Sequence, residues 1–565
     1  MTHDPQRRRM ILALSTALLP LPGCTAATAT LCPNDPVLSD LKAPLTVDVH
    51  AHVFNGSDLQ IREFLSQTVI GPDSELRTLV REMGAVLQAL AWNSAPSARE
   101  EARQIDAYTR PGSRCADNTQ LREAAAPAFQ DGYARGRREL QAAAQSTRAQ
   151  PGTAAVLGPH AGLPGPGLGA AIDALPPTFE EFDQQSREPA SVLGSQPHLA
   201  GYLQFVLHHF NHRHVNALDY LATYSPNSTR KIDLLVPCMV DYDFWLAKGR
   251  PTKTSLDDQV DLMARIAVLT GGRVHGFVPF CPFRELMTAK GDEPGESLRL
   301  VQRAIQSNGF IGVKLYPPMG FAPLGNSGLR VWKGKPTLPP VANDGDFGKR
   351  LDGAMRRLFI WCRDNDVPVM AHANHSNGPY EEFKDLAGPE YWQQAIDAFP
   401  GLKVSFGHFG DTDSEDHDGE RAKAYLRLMT SAHGSKGENV YADASYFAGV
   451  LTNPVKMAEV LADLYTDSER RVLTERLMYG TDWTMLLPQK NVERYLQEFM
   501  GVMRRVEQSS LTGVTPRGAS LSDAFFGDNA VSYLGLSRNK RTRARLEAFY
   551  DRHQLETPDW MKKIG

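Results

Sequence analysis

From about residue 232 the chain repeats one arrangement: a short apolar run, then a segment with helical spacing, with the later runs closed by a polar or charged residue. The runs cover residues 232–238, 274–280, 310–316, 367–372, 403–408, a run ending at Asp443, and residues 477–482. Their ends lie about 35 to 56 residues apart, enough for the crossover helix that parallel neighbours require. Helical spacing marks residues 256–269, 296–306, 347–365, 422–429 and 455–464 between them. An earlier run, residues 45–52, brings the strands to eight. Eight strands alternating with helices predict an α/β fold, a (β/α)8 TIM barrel. The interval between His52 and the second strand, about 180 residues, is too long for one crossover, so residues 56–230 read as an insertion after the first strand.

The strand ends carry the chemistry. Residues 45–52 read Leu-Thr-Val-Asp-Val-His-Ala-His. Residues two apart on a strand share a face, so His50 and His52 aim at one point beyond its carboxyl end. Lys314 interrupts the apolar run 310–316, while His372, His408 and Asp482 close the fifth, sixth and eighth strands. Singly, each has an ordinary reading as a core histidine, a snorkelling lysine or a capping aspartate. A barrel brings all strand ends to one rim, so His50, His52, Lys314, His372, His408 and Asp482 are expected to converge as metal ligands. The expected cofactor is a divalent metal, zinc first, with manganese or iron as alternatives and one or two ions per chain. Such an ion activates water near neutral pH, and Asp482 is the expected catalytic residue, orienting that water and carrying its proton.

Gly480-Thr481-Asp482-Trp483 and the early His50-x-His52 resemble the amidohydrolase-related, decarboxylase-containing branch of the amidohydrolase superfamily of metal-dependent (β/α)8 enzymes. Residues 312–317, Gly-Val-Lys-Leu-Tyr-Pro, are more similar to the dihydroorotase and phosphotriesterase type, in which the strand lysine is carboxylated and bridges two metals. The resemblance covers residues 44–55 and 231–536, and it leaves two arrangements open: a carboxylated Lys314 bridging two ions, or an unmodified Lys314 beside one. Residues 525–530, Phe-Phe-Gly-Asp-Asn-Ala, resemble the closing helix of that branch. Pro282-Phe283-Arg284 resembles its arginine-bearing loop, which implies that Arg284 meets a substrate carboxylate, the alternative being a structural salt bridge. Tyr316, Asn374, His375 and Trp483 follow the ligands closely and are expected to line the substrate pocket. Asp241 and Asp243 read as ordinary loop residues, and the acidic loop after His408 as a solvated face.

The rest of the chain sets the context. With 565 residues and a formal charge of −4, it gives no electrostatic reason to bind nucleic acid. Arg7, Arg8 and Arg9 precede a short apolar run, so residues 1–23 read as a secretory signal peptide, too short to stay as a membrane span. Leu21-Pro22-Gly23-Cys24 resembles a lipobox, implying lipidation at Cys24, with residues 24–43 as a tether. The arginines also allow twin-arginine export. The protein is thus expected in the bacterial envelope or periplasm, touching the membrane only through a lipid anchor. Cys238, Cys281 and Cys362 read as buried thiols; a Cys32–Cys115 disulfide and the oligomeric state stay open.

Within the insertion, residues 57–107 and 118–148 read as helical, and residues 151–177 as a Gly- and Pro-rich loop. It serves equally as a lid over the site or as a packing element. Residues 207–214 hold four histidines; His208 and His212 would share a helix face, but no acidic residue or cysteine lies beside them in sequence, which favours a partly exposed helix end. After the barrel, residues 492–506 read as a helix, 521–536 as its closure, and the charged residues 537–565 as an outer extension. The function these features favour is a metal-dependent hydrolase of an amide, lactone or ester bond in a small molecule. A non-oxidative metal-dependent decarboxylase and a non-catalytic envelope lipoprotein are the alternatives.

Overall fold

Eight short strands lie where the apolar runs end: β1 (Val47–Ala51), β2 (Leu234–Pro237), β3 (Phe277–Pro279), β4 (Gly312–Leu315), β5 (Val369–His372), β6 (Val404–Gly407), β7 (Val440–Asp443) and β8 (Leu477–Met478). The computed structural model describes residues 41–64, 95–108 and 211–564, apart from 225–228, 375–377, 412–419, 431–438, 467–472, 488, 490 and 510–519, together with residue 209 and scattered residues between 67 and 138. Strands β3 to β8 pair in sequence order, and β1 pairs with β2, all in parallel. Parallel bridges from Leu235 to Val274 and from Cys238 to Phe277 join β2 to the β3 segment, and one from Ala51 to Trp483 joins β1 to the chain after β8. The Val49 N–H donates to the Tyr479 carbonyl and the Thr481 N–H to the His50 carbonyl, both at 3.2 Å. These links complete the ring of the expected parallel barrel.

The longer described helices of the insertion are α1 (Ala98–Tyr108) and α2 (Arg213–Thr223). Barrel crossovers carry α3 (Leu256–Leu269), α4 (Pro282–Thr288), α5 (Glu296–Ser307), α6 (Phe347–Asp364), α7 (Pro389–Ala398), α8 (Glu420–Thr430) and α9 (Pro454–Thr466), and α10 (Tyr495–Gln508) follows β8. Helix α3 starts at Ser255, whose hydroxyl accepts from the Asp258 N–H, with Asp257 and Asp258 favouring its positive end. Among the described residues no helix is long and apolar enough to cross a membrane.

The apolar core falls into two clusters. One joins strand faces such as Leu235, Val278, Val313 and Phe406 to the surrounding helices. The other fills the barrel with Val47, Val49, Val236, Phe277, Ile311 and Met370, and continues through Ala530 and Tyr533 into the C-terminal segment. Residues 537–565 were expected only as an outer extension. Instead α11 (Arg541–His553) and the chain beyond it bury Leu546, Phe549, Tyr550, Trp560 and Met561 against the barrel. Their apolar residues are spaced for one helix face but diluted by the charges around them.

Strand β1 contains one irregularity that sets the site. Val47 and Asp48 pair with Leu234 and Leu235, but Ala51 pairs with Pro237, so β1 holds one more residue than its partner. Such a bulge reverses the alternation of side chains. Asp48 therefore turns to Tyr220 of α2, while His50 and His52 turn to Asp482.

Candidate metal centre

His50, His408 and Asp482 each offer one ligand atom, and these lie within 4.8 Å of one another. The Asp482 carboxylate is 3.3 Å from His52 Nε2 and 3.6 Å from His50 Nε2. The His372 ring lies 4.8 Å from that of His408. Lys314, buried at 2 % exposure, places Nζ 3.0 Å from His50 Nε2 and 3.0 Å from the Met370 sulfur. The structure thus brings together all six expected ligands, although they come from five strands.

The imidazoles are anchored from behind. His52 Nδ1 lies 2.8 Å from the Cys238 carbonyl, and His408 Nδ1 lies 3.0 Å from the Ser445 carbonyl. A carbonyl can only accept, so Nδ1 carries the proton and Nε2 keeps its lone pair for the centre. His50 Nδ1 faces Asp443 Oδ1 at 3.2 Å and Ser445 Oγ at 2.8 Å, while the Ser445 hydroxyl donates to that same carboxylate oxygen. Two glycines make room for His50: a Cβ at Gly407 would lie 2.9 Å from its Cε1, and one at Gly480 3.1 Å from its Cβ. His408 (φ 58°) and Asp482 (φ 56°) both adopt the left-handed region that side chains rarely occupy. The Asp482 N–H holds its turn by donating to the His50 carbonyl at 2.7 Å. Strained backbone of this kind gathers at functional sites.

Electrostatics agree with a cation site. Burial, then the neighbouring His408 and Lys314, push the His372 imidazole well below its usual range, and its buried Nε2 has no hydrogen-bond partner. Burial, then Lys314, likewise hold His50 neutral. Burial opposes ionisation of Asp482, yet the adjoining imidazoles of His52, His408 and His50 outweigh it and lower its carboxyl. Burial pushes the Lys314 amine down against the pull of Cys238, Asp482 and Asp443. Neutral imidazoles, an ionised carboxylate and an orphaned buried nitrogen fit a divalent ion.

Above the centre lies a cavity of about 220 Å³. His52, His372, His408 and Asp482 form its floor, and Phe54, Phe64, Tyr242, Tyr316, Asn374 and Tyr446 are among its walls. Tyr316 stacks on His372 with centroids 4.3 Å apart. Tyr242 meets Tyr316 edge-on at 5.4 Å and stacks with Phe64 at 6.0 Å. Tyr316 and Asn374 line this cavity; His375 lies outside the described residues. Trp483 is buried outside the cavity, edge-on to Tyr220 at 5.3 Å. Arg284 also does not line it. Its guanidinium donates to both Asp241 oxygens, at 2.7 and 2.9 Å, and to Asp243 at 2.8 Å, so the structural alternative is the one seen. Asp241 and Asp243, read as ordinary loop residues, hold that arginine.

The histidine-rich stretch also differs from expectation: His209, His212 and His214 are buried. The acidic partner missing nearby in sequence comes from α1, where Glu101 accepts from His214 Nδ1 and from Arg213. Sequence reading missed Asp443 and Ser445 as support for His50, although Asp443 was placed at the end of a barrel strand. It also missed Phe54, Phe64, Tyr242 and Tyr446, which carry no mark in the sequence as cavity walls. Cys238, Cys281 and Cys362 are buried free thiols, as expected; Cys24, Cys32, Cys115 and the loops 151–177 and 412–419 lie outside the described residues.

Residues 282–536 match the sequence profile of a family described as amidohydrolase. No curated protein sequence matches the chain. Similar solved structures include an amidohydrolase from Burkholderia multivorans with bound zinc, 12% identical, covering 56% of this chain and 87% of that one with a TM-score of 0.33. Another is the manganese-bound 5-carboxyvanillate decarboxylase from Novosphingobium aromaticivorans, 13% identical, covering 63% of this chain and 92% of that one with a TM-score of 0.33. At these identities and scores, neither reaction nor substrate carries across.

Proposed function

We propose that this chain, whose residues 282–536 belong to the amidohydrolase family, is a metal-dependent hydrolase of an amide, lactone or ester bond in a small molecule. The observation that carries the reading is the Asp482 carboxylate held against the Nε2 atoms of His50 and His52 at the floor of an aromatic cavity. His50, His52, His372, His408 and Asp482 would hold a divalent ion, with zinc the first choice for such nitrogen and oxygen donors. When bound, that ion polarises the scissile carbonyl and acidifies water.

The chain's own residues supply the remainder. Asp482, kept ionised, accepts the proton of the attacking water and returns it to the leaving group. The Cys238 and Ser445 carbonyls fix the imidazole tautomers, so the floor needs little reorganisation during reaction. Tyr242, Tyr316 and Phe64 present a continuous aromatic wall that excludes water and holds a flat substrate. Lys314 has the lowered basicity needed to add carbon dioxide as a carbamate, which would turn a cation into a bridging carboxylate.

Zinc-loaded protein should hydrolyse members of a panel of neutral esters, lactones and amides, and Asp482→Asn should lower that turnover by about 100-fold or more while keeping the fold. Carbon dioxide release from aromatic acids, with no hydrolysis of the panel, would replace hydrolysis by non-oxidative decarboxylation at the same centre. A metal-filled protein with neither activity would favour a non-catalytic envelope protein. We also propose export through residues 1–23 and lipidation at Cys24. Cys24→Ser should abolish incorporation of labelled palmitate in cells; unchanged labelling would rule that cysteine out.

A further inference from the structure

We infer that helix α2 of the insertion positions the metal centre through the hydrogen bond from Tyr220 to Asp48; the inference rests on the metal-centre reading above. Asp48 is fully buried one residue before the bulge in β1. Its Oδ1 accepts the N–H of His50 and the N–H of Thr481, both at 3.1 Å. Its Oδ2 accepts the Thr481 hydroxyl at 2.6 Å and the Tyr220 hydroxyl. The Thr481 oxygen in turn accepts the Trp483 N–H at 3.0 Å. One carboxylate therefore fastens the backbone of His50 to the turn that presents Asp482, two ligands far apart in sequence.

Among the described residues, Tyr220 is the member of this network that comes from the insertion. It is fully buried, and its ring stands edge-on to Trp483 at 5.3 Å and to Tyr224 at 5.2 Å, so the hydroxyl has one place to go. A second contact reaches the other flank of Asp482. His209 Nε2 lies 3.1 Å from the Thr484 hydroxyl, and its ring stacks on Phe54, a cavity wall, at 4.5 Å. Helix α2 is itself seated on the β1 loop. Arg213, 1 % exposed, donates to Asp58 and to Glu101 of α1. His209 and helix α2 thus touch Thr484 and Trp483 beside a ligand, and they reach His50 and Thr481 through Asp48. Their role extends from covering the site to setting where two ligands stand, because a carboxylate with all its acceptor positions engaged holds its donors rigidly.

The test compares Tyr220→Phe, which removes one hydroxyl and keeps the ring, with Tyr224→Phe, whose hydroxyl donates to the Val492 carbonyl. Two quantities are read on the full-length protein: zinc affinity by chelator competition, and amide hydrogen exchange across residues 48–52 and 480–484. Supports of metal ligands change affinity about 10- to 100-fold, and Tyr220 acts one bond further out, so Tyr220→Phe should weaken zinc binding about 3- to 10-fold. It should also speed exchange at the His50 and Thr481 amides, while Tyr224→Phe changes neither. A melting temperature equal in the two variants separates positioning from a general loss of stability. Zinc affinity and exchange in Tyr220→Phe that match the Tyr224→Phe control would overturn the inference. Should Tyr220→Phe not fold, Asp48→Asn takes its place, with a larger loss expected and unchanged values again overturning it. Wild-type protein that takes up no zinc would sink the metal reading; the exchange comparison would then decide alone, faster exchange supporting the positioning role and unchanged exchange rejecting it.

Discussion

Asp443→Asn tests whether the support behind His50 matters as much as the ligands in front. Asp443 Oδ1 lies 3.2 Å from His50 Nδ1, takes the Ser445 hydroxyl at 2.5 Å, and accepts the N–H groups of His408 and Ser445, both at 3.2 Å. Asparagine keeps an oxygen at that place but not its charge. A hydrogen bond to an ionised acceptor contributes about 1.5–3 kcal/mol and a neutral one about 0.5–1.5, so the bond to His50 should weaken by about 1–1.5 kcal/mol. That bond makes His50 a better donor to a metal, so its loss should raise the zinc dissociation constant roughly tenfold. Stability should change little, because burial already pushes this carboxyl up and makes its ionised form costly. The assay is competition with a calibrated chelator, alongside Asp243→Asn, which sits with Arg284 away from the centre. An Asp443→Asn protein that folds and binds zinc within twofold of wild type would refute the reasoning that His50 depends on this carboxylate.

Three more outcomes are expected. Lys314→Ala should remove about one of two bound ions per chain together with the carbamate signal in 13C NMR, as a bridging carboxylate requires; an unchanged ion count would leave Lys314 as a bystander to a one-metal centre. Burial, then the charge of Asp241, raise the Asp243 carboxyl to about 6. The folded state then holds that proton more tightly than the unfolded chain, so stability should fall by ~2 kcal/mol as pH rises from about 4 to about 6. Chemical denaturation across that range should show a flatter curve for Asp243→Asn, and parallel curves would contradict the assignment. Arg213→Met strands the buried carboxylates of Asp58 and Glu101 and should cost about 3–5 kcal/mol, seen as a lower denaturant midpoint; a loss below about 1 kcal/mol would show that water reaches the cluster.

The barrel was legible because its strands announce their ends. Several apolar runs stop at a residue that an ordinary buried strand would not carry, as at His372 and His408, and the intervals from the second strand onward fit a crossover helix. Helix α3 was read with its observed ends because its apolar residues recur at helical spacing from Leu256 to Leu269. The C-terminal segment was not legible as core. Leu546, Phe549 and Tyr550 lie on one face of α11, but Arg541, Arg543, Arg545 and Arg552 dominate its composition. Burial there follows from sharing one core cluster with barrel residues such as Phe277 and Ile311, which local sequence does not reveal.

In the site, sequence pointed to the side chains that converge and hid what aims them. Alternation along β1 puts Asp48, His50 and His52 on one face, and that parity held only for the two histidines, because the added residue in β1 turns Asp48 to the opposite side. Nothing in Val-Asp-Val-His marks a bulge; it is fixed by pairing with β2, about 190 residues away. The same holds for the tautomers. The acceptors behind His52 and His408 are main-chain carbonyls of Cys238 and Ser445, groups that every residue possesses. Arg284 is engaged by a feature of the same kind: its carboxylate partners, Asp241 and Asp243, sit on the neighbouring strand's loop. Ligand identity is a property of residue type at a strand end, so it survives in sequence. Ligand geometry is a property of which strands are neighbours, so it emerges only when the ring closes.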